Sequence, residues 1–255
     1  MRSASRASKH VIGCIRFALL ASGAAIVLSA CGGSAGGNGS APSPTAHRPS
    51  ASATSAPSKI NVGTVVFTST LRPPSADFGT GSGVQQGPNG ITLNVDRPAG
   101  GYAYSAPRDS QHVPQDLALH VKAYEPTPSQ IYFGVACRGG GTDNTYLLLT
   151  DAAGNWVIVR VHNGGQTVLT SGSDSSIDGS KGVTLDVACV TPQSNDRVNR
   201  LVLALDGKEV GSADDPHDNV PISNSFSLFA ISPQTDTGTG SATFSNVSVR
   251  RAVSP

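Results

Sequence analysis

The sequence predicts an all-β domain, a sandwich or barrel, over residues 59–255. Three observations carry that prediction. Apolar residues recur in short runs with a period of two, the spacing that puts alternate side chains on opposite faces of a strand. Between the runs stand turn formers such as Pro88-Asn89-Gly90, Gly154-Asn155, Asn163-Gly164-Gly165 and Asp206-Gly207. No stretch of a dozen residues places its apolar positions at a helical period, which disfavours alternating strands and helices.

The N-terminus, residues 1–30, reads as an export signal. Arg2, Arg6, Lys9 and Arg16 come before or beside a run from Phe17 to Leu28 that is apolar except for Ser22 and Gly23. At about 12 residues this run is shorter than the ~20 that a helix needs to cross a ~30 Å hydrocarbon core, so processing is expected rather than a permanent span. Directly after it, Leu28-Ser29-Ala30-Cys31 resembles the lipobox of bacterial lipoproteins at all four positions. The resemblance implies that Cys31 receives a diacylglycerol, becomes the mature N-terminus and carries acylation, palmitate included. Two acyl chains would anchor the chain stably where one holds only marginally. Simple secretion with cleavage near Ala30, or a buried helix, is the alternative.

Residues 31–58 form the next element, a tether. The 27 residues after Cys31 include five Gly, seven Ser, four Pro, six Ala and two Thr, a composition that cannot bury a core. A flexible chain of that length reaches about 30 Å on average, and its Pro content extends it. The same Ser, Thr and Pro permit O-glycosylation. The expected location is therefore the extracytoplasmic face of the cell membrane, with the β domain held away from the lipid.

The β domain, just under 200 residues, is enough for one substantial core. Runs that read as strands are Val62–Thr68, Ile91–Val95, Leu117–Tyr124, Gln130–Cys137, Thr145–Thr150, Trp156–Val161, Thr167–Thr170, Val183–Val190, Arg200–Leu205, Ser225–Ala230 and Ala242–Val249. Leu201, Leu203 and Leu205 share one face and end at Asp206-Gly207, a hairpin signal from which Lys208–Val210 returns. In the run at Trp156, the residues Trp156, Ile158 and Arg160 share one face and Val157, Val159 and Val161 the other. The valine face is expected to pack, leaving Trp156 toward solvent or a second sheet. Trp156 is able to stack on a sugar, yet with Ile158 beside it a core or rim position is preferred.

Cysteine accounting agrees with export. Cys14 lies in the signal and Cys31 would be lipidated, which leaves Cys137 and Cys189 in the folded domain. Both sit in alternating runs, and in an oxidising compartment a disulfide is expected. A redox or metal role lacks a C-x-x-C spacing or a neighbouring His cluster. Removal of the signal would take the formal charge from +1 to −3, with no basic tract longer than Arg250-Arg251, so nucleic acid is excluded as a partner.

The segments Val66–Thr68, Tyr132–Arg138, Asn144–Leu149, Gly154–Arg160, Asn199–Leu203, Leu205–Val210 and Ala242–Val247 resemble, in order, the concanavalin A-like, laminin-G-like jelly-roll domains of secreted actinobacterial lipoproteins. The likeness runs from Asn61 to Arg251. It implies two antiparallel sheets of six or seven strands, a long terminal strand that pairs back near the first, and a Cys137–Cys189 bridge between sheet strands with Arg138 following. It says little about function, because this sandwich hosts lectins, glycanases and adhesion modules alike.

An enzyme is not expected. Glycoside hydrolysis needs two carboxylates about 5 to 9 Å apart. The glucanases of this fold carry alternating acids on one strand, whereas the only glutamates here, Glu125 and Glu209, have no alternating acidic partner, and Asp143, Asp151, Asp178 and Asp186 show no selecting spacing. The Asp174–Asp178 and Asp214–Asn219 runs match no calcium loop and read as solvated turns; no metal or cofactor is expected. His112, His120 and His162 look isolated, and the one G-x-S-x-G match, at Gly32–Gly36, lies in the tether, where no nucleophile elbow forms. A monomeric, non-catalytic binding module remains, its ligand an envelope glycan or, alternatively, a protein in a sensor-accessory or structural role. Candidate ligand-binding residues are Trp156, Tyr132, Tyr146 and Arg138, with Tyr102 and Tyr104 as further surface aromatics. A sheet face with aromatics among polar neighbours would favour sugar; one of Ser, Thr and short aliphatics would not.

Overall fold

The computed structural model describes residues 60–253 except 74–76, 80, 99, 110–112, 127–130, 140–141, 217–219, 221–222 and 234–237. The export signal, Cys31, the tether, His112 and the end of the Asp214–Asn219 run lie outside the described residues.

The described residues form fourteen strands: β1 (Asn61–Ser69), β2 (Val84–Gly87), β3 (Gly90–Val95), β4 (Tyr102–Ser105), β5 (Leu117–Tyr124), β6 (Tyr132–Cys137), β7 (Asn144–Thr150), β8 (Asn155–His162), β9 (Gly165–Ser173), β10 (Val183–Val190), β11 (Val198–Leu205), β12 (Lys208–Pro216), β13 (Phe226–Ile231) and β14 (Gly240–Val253). They make a large sheet of eight strands, β12-β11-β10-β5-β14-β3-β2 with β1 on β14, and a small sheet of six, β4-β13-β6-β7-β8-β9. Pairing is antiparallel, and β14 runs back along β1 from Asn61 opposite Val253 to Ser69 opposite Val247. This is a jelly-roll sandwich, with one sheet larger than the six or seven strands expected. The large sheet gains β2, four residues, and a longer return in β12.

The core lies between the sheets. Leu185, Leu201, Leu203 and Leu205 of the large sheet are 0% exposed, as are Phe133, Val135, Leu148 and Ile158 of the small one. Full burial of each such side chain contributes about 1.5–3 kcal/mol. The β11–β12 hairpin forms at Asp206-Gly207, where φ values of 49° and 78° suit the right-handed twist of the paired strands. Cys137 and Cys189 form a disulfide with a Cα–Cα distance of 6.6 Å. Because Cys137 ends β6 and Cys189 lies in β10, the bond staples one sheet to the other.

In β8 both faces pack, and Trp156 takes the core position preferred for it. Trp156 and Ile158 point inward to the main core, whereas Val157, Val159 and Val161 join a second apolar cluster on the opposite face of the small sheet. Glycine makes the room for the indole. A Cβ on Gly172 would stand 2.6 Å from Trp156 Cζ2, and one on Gly211 would stand 2.3 Å from Trp156 Cζ3.

Candidate functional site

Two sheet faces point away from the core, and their chemistry differs. The six strands of the small sheet contain one Lys, Arg, Asp or Glu, Arg160, and it faces inward. Its outward face is therefore uncharged. Register places the outward residues in rows that run across the sheet. One row is Tyr104, Phe229, Gly134, Leu149, Val157 and Ser171. The next is Ser227, Ala136, Leu147, Val159 and Val168. Toward one end Tyr102 and Tyr132 flank Ile231, and toward the other Thr145 lies opposite Val161.

The centre of this face is aliphatic and buried, none of its side chains more than 7% exposed. Ala136, Leu147, Leu149, Val157, Val159, Val161, Phe229 and Ile231 form one cluster with Tyr132 packed against it. Gly134 leaves a gap in the first row, and it has to: a Cβ there would come within 2.2 Å of the Leu148 carbonyl oxygen. Aromatics gather at one edge, where Tyr102 stacks on Phe229 at 5.7 Å and 11° and Tyr102 and Tyr104 remain 41% and 46% exposed. Beside them opens a cavity of about 240 Å³ lined by Tyr104, Ala136, Phe229 and the hydroxyl residues Thr142, Thr145, Ser225 and Ser227. Burial, with Asp151 adding to it, pushes the Tyr132 phenol up to about 12, so it stays a neutral donor. Asp151 is occupied elsewhere: its oxygens accept from Ala153 N, Asn155 N and Asn155 Nδ2 and close the β7–β8 turn.

The outward face of the large sheet is polar. Ser248, His120 and Asp186 occupy one row on β14, β5 and β10, and His120 Nδ1 lies 2.7 Å from Asp186 Oδ1. They line a hollow of about 500 Å³ with Arg250 and the small residues Ala118, Ala188, Val202 and Ala204. Side-chain exposures of 55% and 42% make the His120–Asp186 pair a surface contact of little energetic weight. Sequence reading saw His120 as isolated because its partner lies 66 residues away.

The sequence candidates divide. Tyr132 lies on the outward face of the small sheet. Tyr146, Trp156 and Arg138 do not: they are 0%, 8% and 0% exposed, inside the molecule. Tyr146 donates to Asp215 Oδ2 at 2.8 Å and accepts from Asn199 Nδ2 at 3.0 Å, while Arg160 reaches Asp215 Oδ1 at 2.7 Å. Arg138, at φ 59°, donates from Nη2 to Asp116 Oδ1 at 2.5 Å and to Thr191 Oγ1 at 3.2 Å. Tyr146 has the polar partners that a buried phenol requires, whereas Arg138 is held through Nη2. The acidic runs are turn and strand chemistry. Asp174 serves Ser176 and Lys208, Asp178 serves Ser180 and Lys181, and Asp214 pairs with Arg200. What sequence reading missed is the apolar outward face; its signal was the near absence of charge from the six runs.

The chain matches no family model and no curated protein by sequence. Among solved structures it is similar to a Bacillus subtilis protein of unknown function with a galectin-like fold, at 10% identity and TM-score 0.56, over 77% of this chain and 100% of that one. It is also similar to xylan β-1,4-xylosidase from Bacillus halodurans, at 15% identity and TM-score 0.50 over 72% of this chain, which spans about 39% of that enzyme. A native glycosidic hydrolase is similar at 12% identity and TM-score 0.50, over 72% of this chain and 94% of that one. Such likenesses establish the class: a jelly-roll sandwich of the galectin and concanavalin A kind. At these identities they speak for the fold alone, and the fold is shared by lectins and hydrolases.

Proposed function

We propose that this chain is a non-catalytic binding module, anchored through Cys31 at the extracytoplasmic face of the cell membrane, whose ligand is a glycan-bearing component of the envelope. The observation that carries the reading is the edge of the small sheet, where exposed Tyr104, with exposed Tyr102 beside it, borders a cavity with four hydroxyl side chains. An aromatic platform next to hydroxyls is what a sugar ring uses for stacking and hydrogen bonding. The non-catalytic part rests on the same face: its strands offer no outward carboxylate, and Asp151 is spent on its turn. The lipobox at Leu28–Cys31 and the tether support the anchoring.

The aliphatic centre weakens a reading as a receptor for free sugar alone and favours, as the second reading, a protein-binding or sensor-accessory role. An array of envelope glycans and glycolipids, probed with the full-length chain, tests the proposal. Binding that falls at least tenfold in Tyr102→Ala and Tyr104→Ala, with folding intact, supports it. No binding to any glycan-bearing ligand sinks it and directs the search to a protein partner by crosslinking in the intact envelope.

A further inference from the structure

We infer that the cavity beside Tyr104 recognises the uncharged end of a glycan: one terminal sugar ring seats in it, and the chain leaves over Tyr104 toward Tyr102. The inference rests on the binding-module reading above and specifies what that site selects.

The hydroxyls of the cavity wall have a fixed polarity. Thr145 Oγ1 donates its proton to the Cys137 carbonyl at 3.0 Å, and Ser225 Oγ donates to the Gly139 carbonyl. A hydroxyl has one proton and two lone pairs, so both oxygens are left with acceptor capacity only. Ser223 Oγ, 2.8 Å from Ser225 Oγ, has to be the donor of that pair, because the Ser225 proton is committed. On this side of the cavity a ligand must therefore bring the protons. Sugar hydroxyls do so, whereas a carboxylate or phosphate brings only more lone pairs and would face acceptors out of reach of bulk water. Among the described lining residues there is no Lys, Arg, His, Asp or Glu to offset such a charge.

Size and the placement of the aromatics set the rest. At about 240 Å³ the cavity is smaller than the ~300–1,000 Å³ of sites that enclose a drug-sized ligand, which leaves room for one ring and not for a chain. Thr142, Ser225 and Ser227 are half-buried, so the cavity opens to solvent. Pro107, Val113 and Phe229 supply hydrocarbon against which the C–H face of a sugar ring packs. Outside, Tyr104 and Tyr102 are 46% and 41% exposed with ring centroids 6.3 Å apart. They form two successive platforms for the residues that follow the terminal one. For a glycan carried on the envelope, the end free to enter is the non-reducing end.

The test uses the full-length chain in detergent micelles. The probes are neutral gluco-, galacto-, manno- and arabino-oligosaccharides, the same oligosaccharides with the non-reducing terminal residue oxidised to a uronate, and versions with the uronate at an internal residue far from that end. At least one neutral series should bind, and a terminal uronate should weaken that binding about tenfold or more, while an internal one leaves it nearly unchanged. Ser227→Asp, which puts a carboxylate among the acceptors at a half-buried position, should weaken the neutral series by a similar factor, about tenfold. Fluorescence of Trp156, the single tryptophan and on the other face of the sheet, reports that the variant is folded. Terminal-uronate binding as tight as neutral binding, or undiminished neutral binding by folded Ser227→Asp, would overturn the inference and leave the binding module standing. An internal uronate as damaging as a terminal one would overturn recognition of the end. No binding to any glycan would overturn both readings.

Discussion

Gly211 on β12 faces the six-membered ring of Trp156 across the sandwich, so closely that a Cβ would stand 2.3 Å from Cζ3. The indole cannot move away freely, because Gly172 holds the same ring from β9, 2.6 Å from where its own Cβ would be. Gly211→Ala should therefore destabilise the fold by about 1–3 kcal/mol through overpacking, visible as a lower urea midpoint and an altered Trp156 near-ultraviolet signal. Unchanged stability would mean that the two sheets have slack at this end.

Tyr146 is the second interior test. Its hydroxyl links Asp215 to Asn199, and Tyr146→Phe removes a donor from one and an acceptor from the other. A loss of about 1–3 kcal/mol is expected, more than one neutral hydrogen bond contributes, because Asp215 stays buried. Chemical denaturation of the variant beside wild type decides it.

Alkaline pH acts on the same chemistry. Burial raises the phenols of Tyr132, to about 12, and of Tyr146 above the value of 10.0 they have when exposed. Between those values the unfolded chain has released protons that the folded chain retains, so stability declines with rising pH. The contribution is intact below pH 10 and is lost as pH climbs through the folded values. Urea midpoints at pH 9 and pH 11 should differ more in wild type than in Tyr132→Phe; equal differences would show that Tyr132 titrates like an exposed phenol.

Asp116 balances a buried cation. Burial pushes the Arg138 pKa down and Asp116 counteracts it, while Arg138 Nε and Nη1 have no hydrogen-bond partner among the described residues. Asp116→Asn leaves that guanidinium without a counter-charge and should cost about 3 kcal/mol. Adding Arg138→Met, which fills a similar volume without charge, should restore part of the loss. A double variant as unstable as the sum of the singles would argue against the pairing.

Reduction of Cys137–Cys189 releases a loop of 52 residues, and the Cys137→Ala/Cys189→Ala variant should lose about 4 kcal/mol on the loop-entropy account. Thermal denaturation with and without reductant provides the measurement. Because the bond joins the sheets, the loss should show as one cooperative transition at lower temperature rather than as the melting of one strand.

The sequence disclosed the long strands well. Leu117–Tyr124 and Val183–Val190 match β5 and β10 residue for residue. It did not disclose β2 or β4, since Val84–Gly87 has one apolar residue and Tyr102–Ser105 is too short to show a period. The bridge was legible because only two cysteines remained for the folded domain. The site was less legible: Tyr132 lies on the outward side of the small sheet, but Tyr146 and Arg138 were equally plausible surface groups until their polar partners, 22 to 69 residues away, were seen, and Trp156 packs in the core.

By itself the sequence determined that the domain is all β, which residues share a face in each strand, that two cysteines were available to pair, and that six strands carry almost no charge. Only the tertiary structure decided which of the two faces is inside. Period-two alternation is symmetric, and a strand with Trp156, Ile158 and Arg160 on one side and three valines on the other can bury either. The choice went to the side where Gly172 and Gly211 leave space for an indole and Asp215 meets Arg160, and it turned the valines outward to make the apolar face.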